Sequence, residues 1–98
     1  MKVAIPSNDK ININKSFLNS EGFLIYQIDD HNVVDFEYRE NSNKSVNEVV
    51  NILDDCSSFI CNKIEPEIKE VLKGQNKQIL KTLEENVKKA MLNMMCRV

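Results

Sequence analysis

Several things this sequence does not have narrow its function before any motif is considered. It has no basic excess: 13 lysines and arginines stand against 15 aspartates and glutamates, a formal net charge of -2. The charges are spread along the chain and form no stripe able to track phosphates, so nucleic acid is not an expected partner. No apolar run is long enough to cross a bilayer, and Met1-Lys2 is followed by few apolar residues before Pro6 and Ser7, unlike a secretory segment. No membrane association is expected, and a cytosolic protein is. In that compartment the three cysteines, Cys56, Cys61 and Cys96, are expected as thiols; their number is odd and their spacing is not that of a zinc site. Histidine occurs once, at His31 between Asp30 and Asn32, where turn chemistry alone explains it. There is no internal repeat or low-complexity stretch, and 98 residues suffice for one core but not for two ordinary domains, so residues 1–98 are expected to form a single domain.

What is present is punctuated by two glycines and two prolines. Lys2 to Pro6 alternates as a first strand, and Pro6-Ser7-Asn8-Asp9 follows with strong turn chemistry. Residues 11 to 14 alternate Ile and Asn and suggest a short extended segment. Gly22 opens Phe23 to Ile28, nearly continuous in apolar character as in a strand covered on both faces, and Asp29 to Asn32 reads as a hairpin loop. The next run sets Val34, Phe36 and Tyr38 against Asp35, Glu37 and Arg39, the pattern of a peripheral strand with one wet side. Ser45-Val46-Asn47-Glu48 matches a capping box, and Val46, Val49, Val50 and Leu53 make one helical face, predicting a helix over about residues 45–55.

The organising stretch is Cys56 to Pro66, an apolar strand running through a polar corner into a second helix over about 66–73, with Pro66 in its first turn, Ile68, Val71 and Leu72 as its stripe and Gly74 as its stop. Lys77 to Lys81 reads as a fifth strand. Thr82 to Glu85 reads as a second capping box, with Leu83, Val87, Ala90, Met91, Met94 and Val98 on the apolar face of a last helix over about 82–95. Met91, Met94 and Met95 are read as core filler and Cys96 as a thiol in the last helical turn. The order β-β-β-α-β-α-β-α, with right-handed crossovers, predicts an α/β fold with a five-stranded mixed sheet ordered 3-2-1-4-5 and three helices.

That order sets a switch point between the carboxyl ends of strands one and four, where open α/β sheets place their ligands. Ser7, Asn8 and Asp9 are expected on one side of this crevice and Cys61, Asn62 and Lys63 on the other, with the loop of Ser16 and Phe17 closing over it. Cys61 has two readings. It is a small buried hydrophobe, or a thiolate lowered in pKa by Lys63 and the helix N-terminus and able to bind a soft metal cluster. Cys56 lies at the other end of the strand, about 15 Å away, too far to share one metal. A nuclease reading fails for want of carboxylates on strand one.

The opening Met1 to Ser7, the Phe23-Leu24-Ile25 strand, the Cys56 to Pro66 unit and the Thr82 to Val87 start of the last helix, in that order, resemble the dinitrogenase iron–molybdenum cofactor biosynthesis family, seen alone in NifX-like proteins and at the end of larger cofactor-assembly proteins. The resemblance covers nearly the whole chain. It implies a ribonuclease-H-like α/β fold and a protein that carries iron–molybdenum or related iron–sulfur clusters towards nitrogenase, among metal-cluster assembly proteins, without being an enzyme. Where many members carry His-Phe-Gly, with the histidine a suspected ligand, this chain has Ser16-Phe17-Leu18. Where they have Ile-Gly-Pro, it has Ile64-Glu65-Pro66. Both differences imply weak, transient cluster binding, with a ligand-free interaction or regulatory module as the alternative.

Overall fold

The computed structural model of the protein describes residues 1–95. Its elements are β1 (Lys2–Pro6), β2 (Gly22–Asp29), β3 (Asn32–Glu40), α1 (Val46–Ile52), β4 (Ser58–Cys61), α2 (Pro66–Gly74), β5 (Gln78–Lys81) and α3 (Val87–Met95). The strands form one mixed sheet in the order β3-β2-β1-β4-β5, as the crossover argument predicts. β1 runs antiparallel to β2 and parallel to β4, with Ala4 opposite Phe59, and β5 runs parallel to β4.

Alternation along the strands sorts the apolar residues into two layers. Val3, Ile5, Leu24, Ile28 and Ile60 meet Val87, Ala90 and Met91 of α3, with Met94 and Met95 partly buried against them, so the methionines fill core. Ala4, Phe23, Ile25, Phe59 and Cys61 meet Val49 of α1, Leu53 just beyond its end, and Ile68 and Leu72 from α2. The β2–β3 hairpin turns through Asp30 and His31, both with positive φ, the geometry that suits the twist of a two-residue loop. Gly22 is required by a close approach: a Cβ there would lie 2.4 Å from the Tyr38 ring, which crosses it so that the Tyr38 hydroxyl donates to the Ser7 carbonyl at 2.8 Å.

Several expectations need correction. Residues 11 to 14 make no strand of their own; a single bridge joins Asn12 to Asn86. α1 ends at Ile52, although its N-cap is as read, with Ser45 Oγ accepting from the Glu48 N–H at 3.2 Å.

The last helix starts at Val87 instead of near Thr82. The backbone of residues 82–87 is used elsewhere: the Thr82 and Glu84 carbonyls accept from Asn62, the Glu85 carbonyl accepts from the Ile13 N–H, and the Val87 N–H donates to Ile11. Leu83 is therefore fully exposed, not on the core face.

On β3 the apolar side is also open, with Val34 and Phe36 exposed at 55% and 66%. Val71 of α2, placed on the apolar stripe, is half-exposed too. Cys96 and Val98 lie outside the described residues.

Candidate functional site

β1 and β4 are the adjacent parallel strands from which the chain leaves in different directions, and their register sets Pro6, at the end of β1, beside Cys61, at the end of β4. Most of the residues expected at this crevice have their polar atoms committed within the protein. Ser7 is wholly buried. Its hydroxyl donates to the Asn12 carbonyl at 2.6 Å and accepts from the Lys10 N–H at 2.9 Å, and its N–H donates to Gly22. Asn8 Oδ1 accepts from the Glu21 N–H at 2.8 Å and ties the loop to the start of β2. Asp9 organises the loop itself, since the N–H groups of Asn12 and Ile11 and the Asn12 amide all donate to its carboxylate and hold it down to about 2.

On the other side, Asn62 Nδ2 donates to the carbonyls of Thr82 and Glu84, at 2.9 Å each, and pins the β5–α3 connection. Its Oδ1 is buried without a partner among the described residues. Lys63 is exposed. Cys61 is wholly buried in the layer of Phe59 and Ile68, opposite Lys81 of β5. Burial pushes its thiol up to about 11; Lys81 and Lys69 pull it down and Glu65 pushes it further up. The expected lowering by Lys63 and the helix end is therefore corrected. The cations that reach the sulfur are Lys81 and Lys69, and desolvation outweighs both.

The third wall is the loop of Ser16 and Phe17. Phe17 is wholly buried, its ring 5.2 Å from Phe23 and edge-on to Phe59 at 5.9 Å, so it belongs to the core and presents no face to a ligand. Ser16 donates to Glu65 Oε2 at 2.5 Å, and the Leu18 N–H donates to Glu65 Oε1 at 3.0 Å. Glu65 is the N-cap residue of α2, yet its side chain caps nothing there. Burial pushes its carboxyl up; the bonds from Ser16 and Leu18, with help from its own and the Phe17 N–H, outweigh that and hold it below the ordinary glutamate value.

The sequence matches the family described as dinitrogenase iron-molybdenum cofactor over residues 1–95. The chain belongs to that family. Solved structures agree with this membership. A protein of Methanocaldococcus jannaschii, described provisionally as a dinitrogenase, superposes with a TM-score of 0.79 at 27% identity, over 97% of this chain and 88% of that one. Two others share the fold at lower identity. One is PH0822, with a TM-score of 0.87 and 20% identity over 97% of this chain and 88% of its own. The other is a Thermotoga protein described provisionally as NifB, with a TM-score of 0.78 and 22% identity over 95% and 85%. A comparison with curated proteins gives no match.

For a member of the dinitrogenase iron-molybdenum cofactor family, the contact missed by sequence reasoning is the one between Ser16 and Glu65. Each is visible alone as a departure from the family pattern. Their pairing across 49 positions of sequence is not. The available signal is that both departures fall at corners that the predicted sheet order brings together. Asn41 was also missed: it is buried, and its amide donates to the carbonyls of Leu18 and Ser20, at 2.9 and 3.0 Å, holding the far end of the same loop.

Proposed function

We propose that the protein is a non-catalytic cytoplasmic binding protein that meets an iron–molybdenum or iron–sulfur cluster in transit, weakly and transiently, and works among metal-cluster assembly proteins. The observation that carries this reading is the family match over residues 1–95. The contact region is the crevice between Ser7 to Asp9 and Cys61 to Lys63, with the N-terminal end of α2 beside it. Of the donors there, Lys63 supplies an exposed positive charge and Cys61 the soft atom.

The donors suit a brief contact and not a resident metal: among the described residues no group of three or more His, Cys, Asp or Glu is placed to hold a metal ion. Cys61 is a buried, protonated thiol at neutral pH. Cluster transfer therefore needs ligands from the delivering or receiving partner as well as from this chain.

Titration of the oxygen-free protein with isolated iron–molybdenum cofactor tests the reading. Weak binding that is lowered in Cys61→Ala and Lys63→Ala supports it, and unchanged affinity in both variants removes this crevice from consideration. Ser16→His is expected to tighten binding.

A second reading, a ligand-free interaction module, is favoured by one observation, the exposed apolar side of β3 at Val34 and Phe36. Purification without oxygen separates the two. Brown, iron-containing protein supports the carrier, and colourless protein held by a partner through Val34 and Phe36 supports the module.

A further inference from the structure

Glu65 does something the proposed carrier role does not require. An ionised carboxylate at the first turn of a helix ordinarily accepts from the helix's own free N–H groups. Here it turns away from α2 and is gripped by the loop that follows β1, through the Ser16 hydroxyl at 2.5 Å and the Leu18 N–H at 3.0 Å. The loop is shaped to hold this carboxylate. Ser16 Oγ also accepts from the Asn19 N–H at 3.1 Å, which orients it, and the Asn14 amide donates to the Ser16 carbonyl at 2.8 Å.

Between the two gripping residues lies Phe17, wedged between Phe23 and Phe59 in the same layer as Cys61. The flanks of the loop are anchored independently, the near one by Asn14 N–H to Pro6 and the far one by Asn41 to Leu18 and Ser20. Loss of the carboxylate grip therefore leaves the centre of the loop held only by the packing of Phe17, while its ends stay anchored.

We infer that Ser16, Leu18 and Glu65 form a latch that closes the loop over Cys61, so that the latch decides whether this thiol is reached from solution. This rests on the proposed site only in locating Cys61 at its corner; the closure itself is a property of the protein alone. Charge-assisted hydrogen bonds are among the stronger ones in a protein, and local opening is governed by the few contacts that close a segment.

The test is the rate of alkylation by iodoacetamide at neutral pH under native conditions, followed by peptide mapping that separates Cys61 from Cys56. Cys56 is the internal standard, because it too is buried in the layer of Phe59 but lies before β4, away from the loop. In the unaltered protein both thiols are expected to react slowly. Glu65→Ala is expected to speed Cys61 by about tenfold or more with Cys56 unchanged. Ser16→Ala and Glu65→Gln, which keeps a group for Leu18 and Ser16 but loses the charge that strengthens both bonds, should each give a smaller increase.

An unchanged Cys61 rate in Glu65→Ala overturns the latch. So does a parallel rise at Cys56, which would mean general loosening. No cluster enters this experiment, so failure of cluster binding and failure of the latch are told apart.

Discussion

Phe59 touches the arguments about stability and about the site at once, because its ring supports Phe17 from below the loop and sits in the layer under α1 and α2. Phe59→Ala is expected to cost about 3–5 kcal/mol in urea unfolding, since a wholly buried aromatic on a central strand leaves a cavity that the sheet cannot collapse around. Asn62→Ala should cost about 1–3 kcal/mol, because the carbonyls of Thr82 and Glu84 lose their donor; the same variant should raise hydrogen exchange in the β5–α3 connection. Asp35, exposed on β3, is the contrast: Asp35→Ala should change the unfolding midpoint by less than about 0.5 kcal/mol in free-energy terms. Single residues were also where sequence reading was weakest. Cys61 was placed correctly at the end of a strand, but the state of its thiol depends on how much protein covers it and on which lysines face it.

Edge strands carry a hazard, and β3 shows how this protein limits it. Ile28 exchanges hydrogen bonds with Met1, and Gly22 accepts from Ser7, so the even-numbered backbone groups of β2 face β1 and the odd-numbered ones face β3. Phe36, opposite Tyr26, consequently points its N–H to the open edge. There the Asp35 carboxylate accepts it at 2.8 Å, blocking the group that another strand would need. Asp35→Ala is therefore expected to leave stability nearly unchanged but to promote concentration-dependent association, read by sedimentation velocity; a strictly monomeric variant over the same range would refute this role.

On the side of the sheet that faces α1, the strands are tied by charge. Arg39 of β3 and Lys2 of β1 both bind Asp55 beyond α1, with Arg39 also donating to the Ile52 carbonyl. Hydrogen bonds from Arg39 and Lys2 hold the Asp55 carboxyl far below its ordinary value. Since its folded-state value and that of Asp9, about 2, lie below the unfolded value of 3.8, their contributions are complete above about pH 4 and are lost as pH falls towards 2 and beyond. The urea midpoint should be flat from pH 5 to 7 and drop below pH 4, with a shallower drop in Asp55→Asn.

At the scale of the whole molecule, the sheet order was legible because it follows from local patterns and one rule of handedness. Near-continuous apolar character in β2, alternation in β3, the Ser45 cap and Pro66 at the start of α2 identify the elements from neighbours within a few residues. Three short-linked strands and two right-handed crossovers then leave little choice of topology, and the switch point between β1 and β4 comes with it. The sequence by itself thus determined the elements, their order in the sheet and the position of its switch point, since each depends on short-range periodicity and chain connectivity.

Tertiary structure alone decided the rest. Thr82 to Glu85 has the pattern of a helix start, but Asn62 and the segment at residues 11–13 compete for the same backbone groups and move the start to Val87. Val34 and Phe36 have the pattern of a buried face, yet burial depends on what lies above them, and both remain exposed. Ser16 and Glu65 are 49 positions apart and give no local sign of each other. Whether a hydroxyl, a carboxylate or a thiol is free to act is set by the groups packed around it, and only folding brings those groups together.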